Sequence, residues 1–304
     1  MDHYDVIIIG GSYSGLAAAM ALGRALKNVL IIDSENPCNK QSPYSHNFLT
    51  QDDHPPLAIS SKARMEVEKY QTIEFLKDKA AKGVKIHTGF RIETDKGEVI
   101  TSSKLIFATG IKDILPAING IEECWGISVL HCPYCHGYEV INETTGIIGN
   151  DENAFDLIQL ISNWTKDLTL YTNGPSKLTL KQNELLKKHM INIDERIISQ
   201  LLHSHGQVKR IQFTDGSFAD AKAIYVKAQF EQHCSIPISL GCEINREGYL
   251  ITNGSQETTV KDIYACGDNS SRMRTIANAV GTGTTAGIAV SKSIIVENFE
   301  TYNK

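Results

Sequence analysis

Two cysteines three positions apart, Cys132 and Cys135, lie in the stretch His131-Cys132-Pro133-Tyr134-Cys135-His136-Gly137-Tyr138-Glu139. At that spacing a pair closes into a short disulfide or opens into a reactive dithiol. A tetrahedral zinc site needs a second pair of ligands at similar spacing, and the chain has no second Cys-x-x-Cys, so no metal is expected. A structural staple gains most from closing a long loop, which this pair does not do. Redox use is the expected chemistry.

The elements around the pair decide what it can exchange electrons with. Tyr4–Ile9 is an apolar run, as in a parallel strand buried on both faces. It enters Gly10-Gly11-Ser12-Tyr13-Ser14-Gly15, a helix rich in small residues, and a second strand, Val29–Ile32, ending at Asp33. This is the strand–glycine turn–helix–strand–acid pattern of a dinucleotide site. Gly10 allows the tight turn, Ser12 stands at the middle glycine position, and Gly15 permits close helix–strand packing. The helix N-terminus offers N–H groups to a pyrophosphate, and Asp33 offers acceptors to a ribose. Residues 36–56 form a polar, proline-rich loop able to wrap a cofactor, with His46 on it. A β-meander is expected over Thr72–Lys77, Val84–Arg91 and Lys104–Ala108. It closes on Ala108-Thr109-Gly110, a backbone with little side-chain bulk to hold off a cofactor.

After a domain crossing near 113 comes the cysteine pair, then a second strand–turn–helix in which Gly149, Asp151 and Ala154 take the three turn positions. A strand at 168–172, a helix at 178–189 and a hairpin over 208–213 and 218–226 follow. The C-terminal part returns to the pattern of the first domain. It has strands at 249–252 and 262–268, the latter ending at Asp268, and a small-residue helix from Thr275 to Ile294. The expected fold is α/β, with two Rossmann-like, three-layer nucleotide-binding domains, the second inserted into the first. Residues 1–113 and 243–304 form one domain and 114–242 the other.

Bulk composition narrows the function. The 304 residues suffice for about two domains, and 41% hydrophobic and 21% charged residues with a net charge of -5 are ordinary for a globular chain. Basic residues are scattered, so no nucleic-acid partner is expected. No apolar run approaches the ~20 residues of a membrane span, and the first residues lack the positive start of a secretory signal. The other cysteines (Cys38, Cys124, Cys234, Cys242, Cys266) are dispersed. A cytoplasmic, reducing setting is expected, where a Cys-x-x-Cys is more often catalytic than structural.

Taken together, Ile9 through Leu16, Ser45-His46-Asn47-Phe48-Leu49, Ala108-Thr109-Gly110, His131 through Glu139 and Ile263 through Asp268 resemble the low-molecular-weight thioredoxin reductase family. The closest resemblance is to the branch that includes the gliotoxin-type dithiol oxidases. The resemblance covers nearly the whole chain. It implies FAD held around Gly10, Ser12, Gly15, Asp33 and Asp268, with Arg274 on the flavin side. It also implies that Cys135 faces the flavin and Cys132 exchanges with a small dithiol or a thioredoxin-like protein. A homodimer and a rotating central domain are implied as well. Thioredoxin reductases carry an aspartate directly after the pair. Here the residue is His136, as in the oxidase-like branch, and its ordinary pKa suits proton transfer near neutrality.

The second turn departs from the family. Its middle position, where a glycine admits the pyrophosphate of NADPH, is Asp151, whose charge repels that anion and suits the helix start itself. The basic cluster that thioredoxin reductases present to a 2′-phosphate is replaced by Tyr171-Thr172-Asn173-Gly174. NADPH is therefore a doubtful cofactor. Electrons could enter from a dithiol and leave to oxygen, or enter from a ferredoxin-type donor. A second flavin or nucleotide could occupy the altered site, or the chain could be a non-enzymatic redox sensor.

Overall fold

His3–Ile9, the first strand, is buried at Val6, Ile7, Ile8 and Ile9 alike, because alternate residues enter two different cores. Val6 and Ile8 pack with Leu16, Ala19, Ile106 and Val290, while Ile7 and Ile9 pack with Phe90, Leu105 and Ile263. A strand covered on both faces is what a continuous apolar run predicts. The computed structural model describes residues 3–301.

The first sheet runs Ile73–Lys77, Val29–Asp33, His3–Ile9, Val99–Phe107, Gly89–Thr94 and Ala80–Ile86, with Ile263–Ala265 also on Val99–Phe107. The long strand Val99–Phe107 pairs with His3–Ile9 along one edge and with two further strands along the other. Its first half pairs antiparallel with Gly89–Thr94 and its second half parallel with Ile263–Ala265. The expected meander is thus shifted. Ile73–Lys77 is a parallel neighbour of Val29–Asp33, and the meander consists of Ala80–Ile86, Gly89–Thr94 and Val99–Phe107. Thr252 and its neighbours make isolated bridges rather than the expected strand.

The helix Ile276–Thr301 joins this body through its small residues. A Cβ at Gly283 would lie 2.1 Å from the Ser14 carbonyl oxygen, and one at Gly287 would lie 2.4 Å from that of Ala18. The helix is long and apolar enough to cross a membrane by length and composition alone, against the expectation that no segment approaches a span. One of its faces packs closely on Tyr13–Arg24, where Ala279, Gly283, Ala286, Gly287 and Val290 are buried. Buried Lys104 binds Asp262 and Glu297, tying the long strand to the chain's last segments.

The second sheet is parallel throughout: Asn192–Asp194, Leu168–Tyr171, Thr145–Ile148, Ala223–Val226 and Val129–Leu130. Two clusters cover its faces. An antiparallel layer, Ile198–Ser204, Gln207–Phe213 and Phe218–Asp220, lies beside it. The expected hairpin therefore ends at Asp220, and Ala223–Val226 crosses into the parallel sheet instead. Ile111–Ile114 pairs with Gln229–Gln232 where the chain passes between the two bodies. Ile236 and Cys242 already pack with Ile7 and Phe107, so the return comes before the expected residue 242.

Candidate active site

Val129–Leu130 is an edge strand whose end delivers the chain to the cysteines. Cys132, in extended conformation, caps the short helix Pro133–His136, with Pro133 at a position where its missing N–H has no helical partner to lose. Cys132 and Cys135 form a disulfide with Cα atoms 5.3 Å apart. The Cys135 N–H donates to Cys132 Sγ at 3.2 Å. A helical N–H aimed at this sulfur favours a thiolate there after reduction. Gly137 leaves no room for a side chain, since a Cβ would meet Trp164 Nε1 at 2.9 Å. Tyr134 stands edge-on to the same indole. Tyr134 and Tyr138 are largely exposed beside the pair. The remaining described cysteines are free, and the buried Cys266 thiol is pushed up to about 12 by burial, which leaves it unreactive.

Two histidines flank the cysteines. Burial, and then the neighbouring charge of His46, push His136 down to about 4. His131 lies against Trp125, with ring centroids 5.7 Å apart. Burial and then the Arg274 charge lower it to about 4, partly offset by Asp113. Both rings are neutral at pH 7 and so can accept a proton. His46, expected to hold a cofactor, lies between this segment and Asp52 of its own loop. Its ring is 6.3 Å from that of His136 and nearly perpendicular to it. Its nitrogens lie 3.6 Å from Glu139 Oε1 and 3.9 Å from Asp52 Oδ1. The Ser45–His54 bridge and a 2.7 Å bond from Asn47 N–H to Asp52 fix that loop.

The first glycine turn is an open cradle. Gly10 has φ 105°, and a Cβ there would lie 2.3 Å from the Ala108 carbonyl oxygen, so the Gly10 turn and Ala108-Thr109-Gly110 touch backbone to backbone. A Cβ at Gly15 would sit 1.9 Å from the Gly10 carbonyl oxygen. The Asp33 carboxylate lies over Gly11. Ser12 caps the helix Tyr13–Arg24 in position only, with no side-chain bond, so the first helical N–H groups remain available to a ligand.

Asp268 and Arg274 stand nearby. Burial pushes the Asp268 carboxyl up to about 6, against the pull of Arg274. Burial also opposes the Arg274 charge, but two 2.8 Å bonds to Asp113 outweigh it and raise its pKa. Arg274 Nε, 3.8 Å from Asp268 Oδ2, and Asn269 Oδ1 are buried polar atoms with no hydrogen-bond partner among the described residues. An uncapped helix start, a side-chain-free approach, a ribose-ready carboxylate and orphaned polar atoms fit a dinucleotide such as FAD.

The second turn is closed by its own side chains. Asp151 caps the helix Glu152–Ile161, its Oδ1 accepting from the Ala154 N–H at 3.0 Å. Asn153 donates to the other carboxylate oxygen at 3.0 Å. Asn150 spans the crevice between the ends of adjacent strands. Its amide donates to the Pro175 carbonyl at 2.9 Å and accepts from the Lys177 N–H at 2.7 Å. Gly149 and Ala154 pack directly, since a Cβ on the glycine would lie 2.7 Å from the alanine's. Beyond the next strand, Thr172 bonds the Gly174 carbonyl and Asn173 accepts from Ile198 N–H. Arg196, the basic side chain near that strand end, is committed to Asp194 and Ser217 and lies 3.8 Å over Phe213.

The sequence reading did not foresee Asp113, Asp52 or Asn150 in these roles. Asp113 pairs with a residue 161 positions away, which local pattern does not reveal. The sequence signal for Asn150 was its place inside the altered turn.

Comparison with known proteins agrees with this arrangement. The family model described as pyridine nucleotide-disulphide oxidoreductase matches residues 4–283. The chain is 29% identical to the thioredoxin reductase aclD of Aspergillus oryzae over 299 residues, covering 94% of this chain and 95% of that protein. It is similar to the crystal structure of an oxidoreductase from Agrobacterium tumefaciens, with a TM-score of 0.90 and 34% identity, covering 97% of this chain and 99% of that one. It is also similar to the structure of HlmI, with a TM-score of 0.93 and 27% identity, covering 99% of this chain and 95% of that one.

Proposed function

The chain belongs to the pyridine nucleotide-disulphide oxidoreductase family. From that premise we propose an FAD-dependent dithiol–disulfide oxidoreductase, thioredoxin reductase-like, that works through Cys132–Cys135 and does not use NADPH efficiently. The observation that carries this reading is the self-capped second turn, where Asp151 takes the helical N–H and Asn150 spans the crevice. A nicotinamide cofactor's pyrophosphate would have to displace both. Like charges ~4 Å apart repel by about 1 kcal/mol in water and about 4 at an effective dielectric of 20. That corresponds to between about one and three powers of ten in affinity.

In this reading the residues around the first sheet carry FAD and the inserted part carries the cysteines. Gly10, Ser12 and Gly15 receive the pyrophosphate, Asp33 the ribose and Asp268 a polyol hydroxyl. Ala108, Thr109 and Gly110 give close backbone approach, with Arg274 on the flavin side. FAD, when bound, would supply a second two-electron carrier able to pass the pair's electrons on to an acceptor such as oxygen. Cys132 forms and releases the mixed disulfide with the partner, Cys135 is the leaving and returning thiolate, and His136 is the first to take up the proton that thiol chemistry displaces. The exposed Tyr134 and Tyr138 leave the pair approachable to a small dithiol or a thioredoxin-like surface. A homodimer in a reducing compartment belongs to the same reading.

The test is dithiothreitol oxidation under air, read as hydrogen peroxide. Wild-type protein is expected to turn over, and Cys135→Ser to fall by about a thousandfold or more. Turnover that survives Cys135→Ser would count against the reading.

A further inference from the structure

We propose that His46 is the proton-relay partner of His136, taking the proton displaced at the cysteine pair and holding it between Glu139 and Asp52. This deepens the proposed thiol chemistry and rests on Cys132–Cys135 being its site. It does not rest on which donor reduces the flavin.

The geometry joins two segments far apart in sequence. His46 comes from the loop 36–54 of the first body and His136 from the redox turn of the inserted part. Their rings are 6.3 Å apart between centroids, within the span of one bridging water. Glu139 lies 3.6 Å from His46 Nε2 and Asp52 3.9 Å from Nδ1. The charged and titratable groups facing His46 are therefore Asp52 from its own loop, and Glu139 and His136 from the redox segment. His54, on the same loop, bonds the Asp52 backbone carbonyl. Accessibility gives the relay a direction. The His46 side chain is 14% exposed, against 40% for Glu139 and 67% for Asp52, so a proton on His46 is one carboxylate from solvent.

His131 does not offer the same route. Its ring lies on Trp125, and Arg274 repels a proton placed there. His136 is partly buried and gives up a proton readily, so it passes the proton on rather than keeping it. His46 lies between Glu139 and Asp52, both more exposed than it is, on the path from His136 to solvent.

The step balances without any other redox partner. One thiol of a dithiol loses its proton to His136 and attacks Cys132 Sγ. The Cys132–Cys135 bond breaks, its electron pair leaving on Cys135 as thiolate, and the proton moves on to His46. The second substrate thiol then attacks the mixed disulfide. The substrate disulfide forms, and Cys132 is released and takes that thiol's proton. The dithiol has lost two electrons and the cysteine pair has gained them. Read backwards, the same relay returns a proton to a departing thiol.

The test uses flavin-loaded protein with the pair reduced by dithiothreitol, desalted anaerobically. Iodoacetamide alkylation of Cys132 is followed by mass spectrometry from pH 5 to 9. His46→Asn is expected to slow alkylation at neutral pH by about tenfold and to move the inflection up by about one pH unit, with added imidazole restoring part of the rate. Glu139→Gln keeps the ring and removes one carboxylate, and is expected to give a smaller effect in the same direction. A wild-type pH profile in His46→Asn, or in Glu139→Gln should the first variant not fold, would overturn the proposal. The alkylation readout judges His46 even if NADPH reduces the flavin and the nicotinamide reading fails.

Discussion

The two strand–turn–helix units of this chain start from the same pattern and end in opposite states. At the first, Ser12 makes no side-chain bond to the helix it begins, and the helical N–H groups stay open beside Asp33 and Ala108. At the second, Asp151 caps its helix and Asn150 bridges to the 175–177 turn. The positive end of a helix attracts one negative group. In the first unit that place is left for a ligand, and in the second the chain supplies its own carboxylate. On the proposed reading, a Rossmann turn receives a pyrophosphate only while its helix start lacks an internal anion.

The largest test of that contrast copies the second turn into the first. Ser12→Asp is expected to strip the flavin, since up to about 4 kcal/mol of charge repulsion is up to about a thousandfold in affinity. Flavin absorbance per protein after desalting reads the result, and stoichiometric flavin in the variant would break the comparison.

A smaller effect concerns the redox turn between the two units. His136 is held down to about 4, well below its ordinary value. The unfolded chain takes up this proton first as the pH falls, so stability present above about pH 6.5 is lost as the pH drops toward 4. For a partly buried ring the loss is about 2 kcal/mol. Denaturant midpoints at pH 7 and pH 4.5 should differ less in His136→Asn than in wild type, and an equal difference would show that His136 is not so held.

The smallest effects concern the caps themselves. Asp151→Ala should cost about 1 kcal/mol through loss of a helix cap, whereas Ser12→Ala should change stability by less than about 0.5, having no cap bond to lose. Urea midpoints of the two variants in flavin-free protein check this directly. Equal losses would mean that the two helix starts are not differently satisfied.

What the sequence made legible was the part governed by local spacing. The apolar run into Gly10, the acid at Asp33, the cysteine pair and the carboxylate at Asp151 each carry their chemistry within a few residues. What it hid was partnership at a distance. His46 reads as one polar loop residue among many, and only the fold brings it to His136 and Glu139. The Arg274–Asp113 pair joins segments 161 residues apart. Periodicity gives Ile73–Lys77 its strand character but not its pairing partner, so the sequence alone leaves it with its chain neighbours. The same holds for Ala223–Val226, which pairs with Thr145–Ile148 rather than with the preceding hairpin.

The central claim is that the second turn is closed to nicotinamide, and one measurement addresses it directly. Oxidised, flavin-loaded protein is mixed anaerobically with NADPH, then with NADH, then with dithiothreitol, while the oxidised flavin absorption is followed. A closed turn predicts that the band persists with both nicotinamides and bleaches with the dithiol. Rapid bleaching at micromolar NADPH would contradict it.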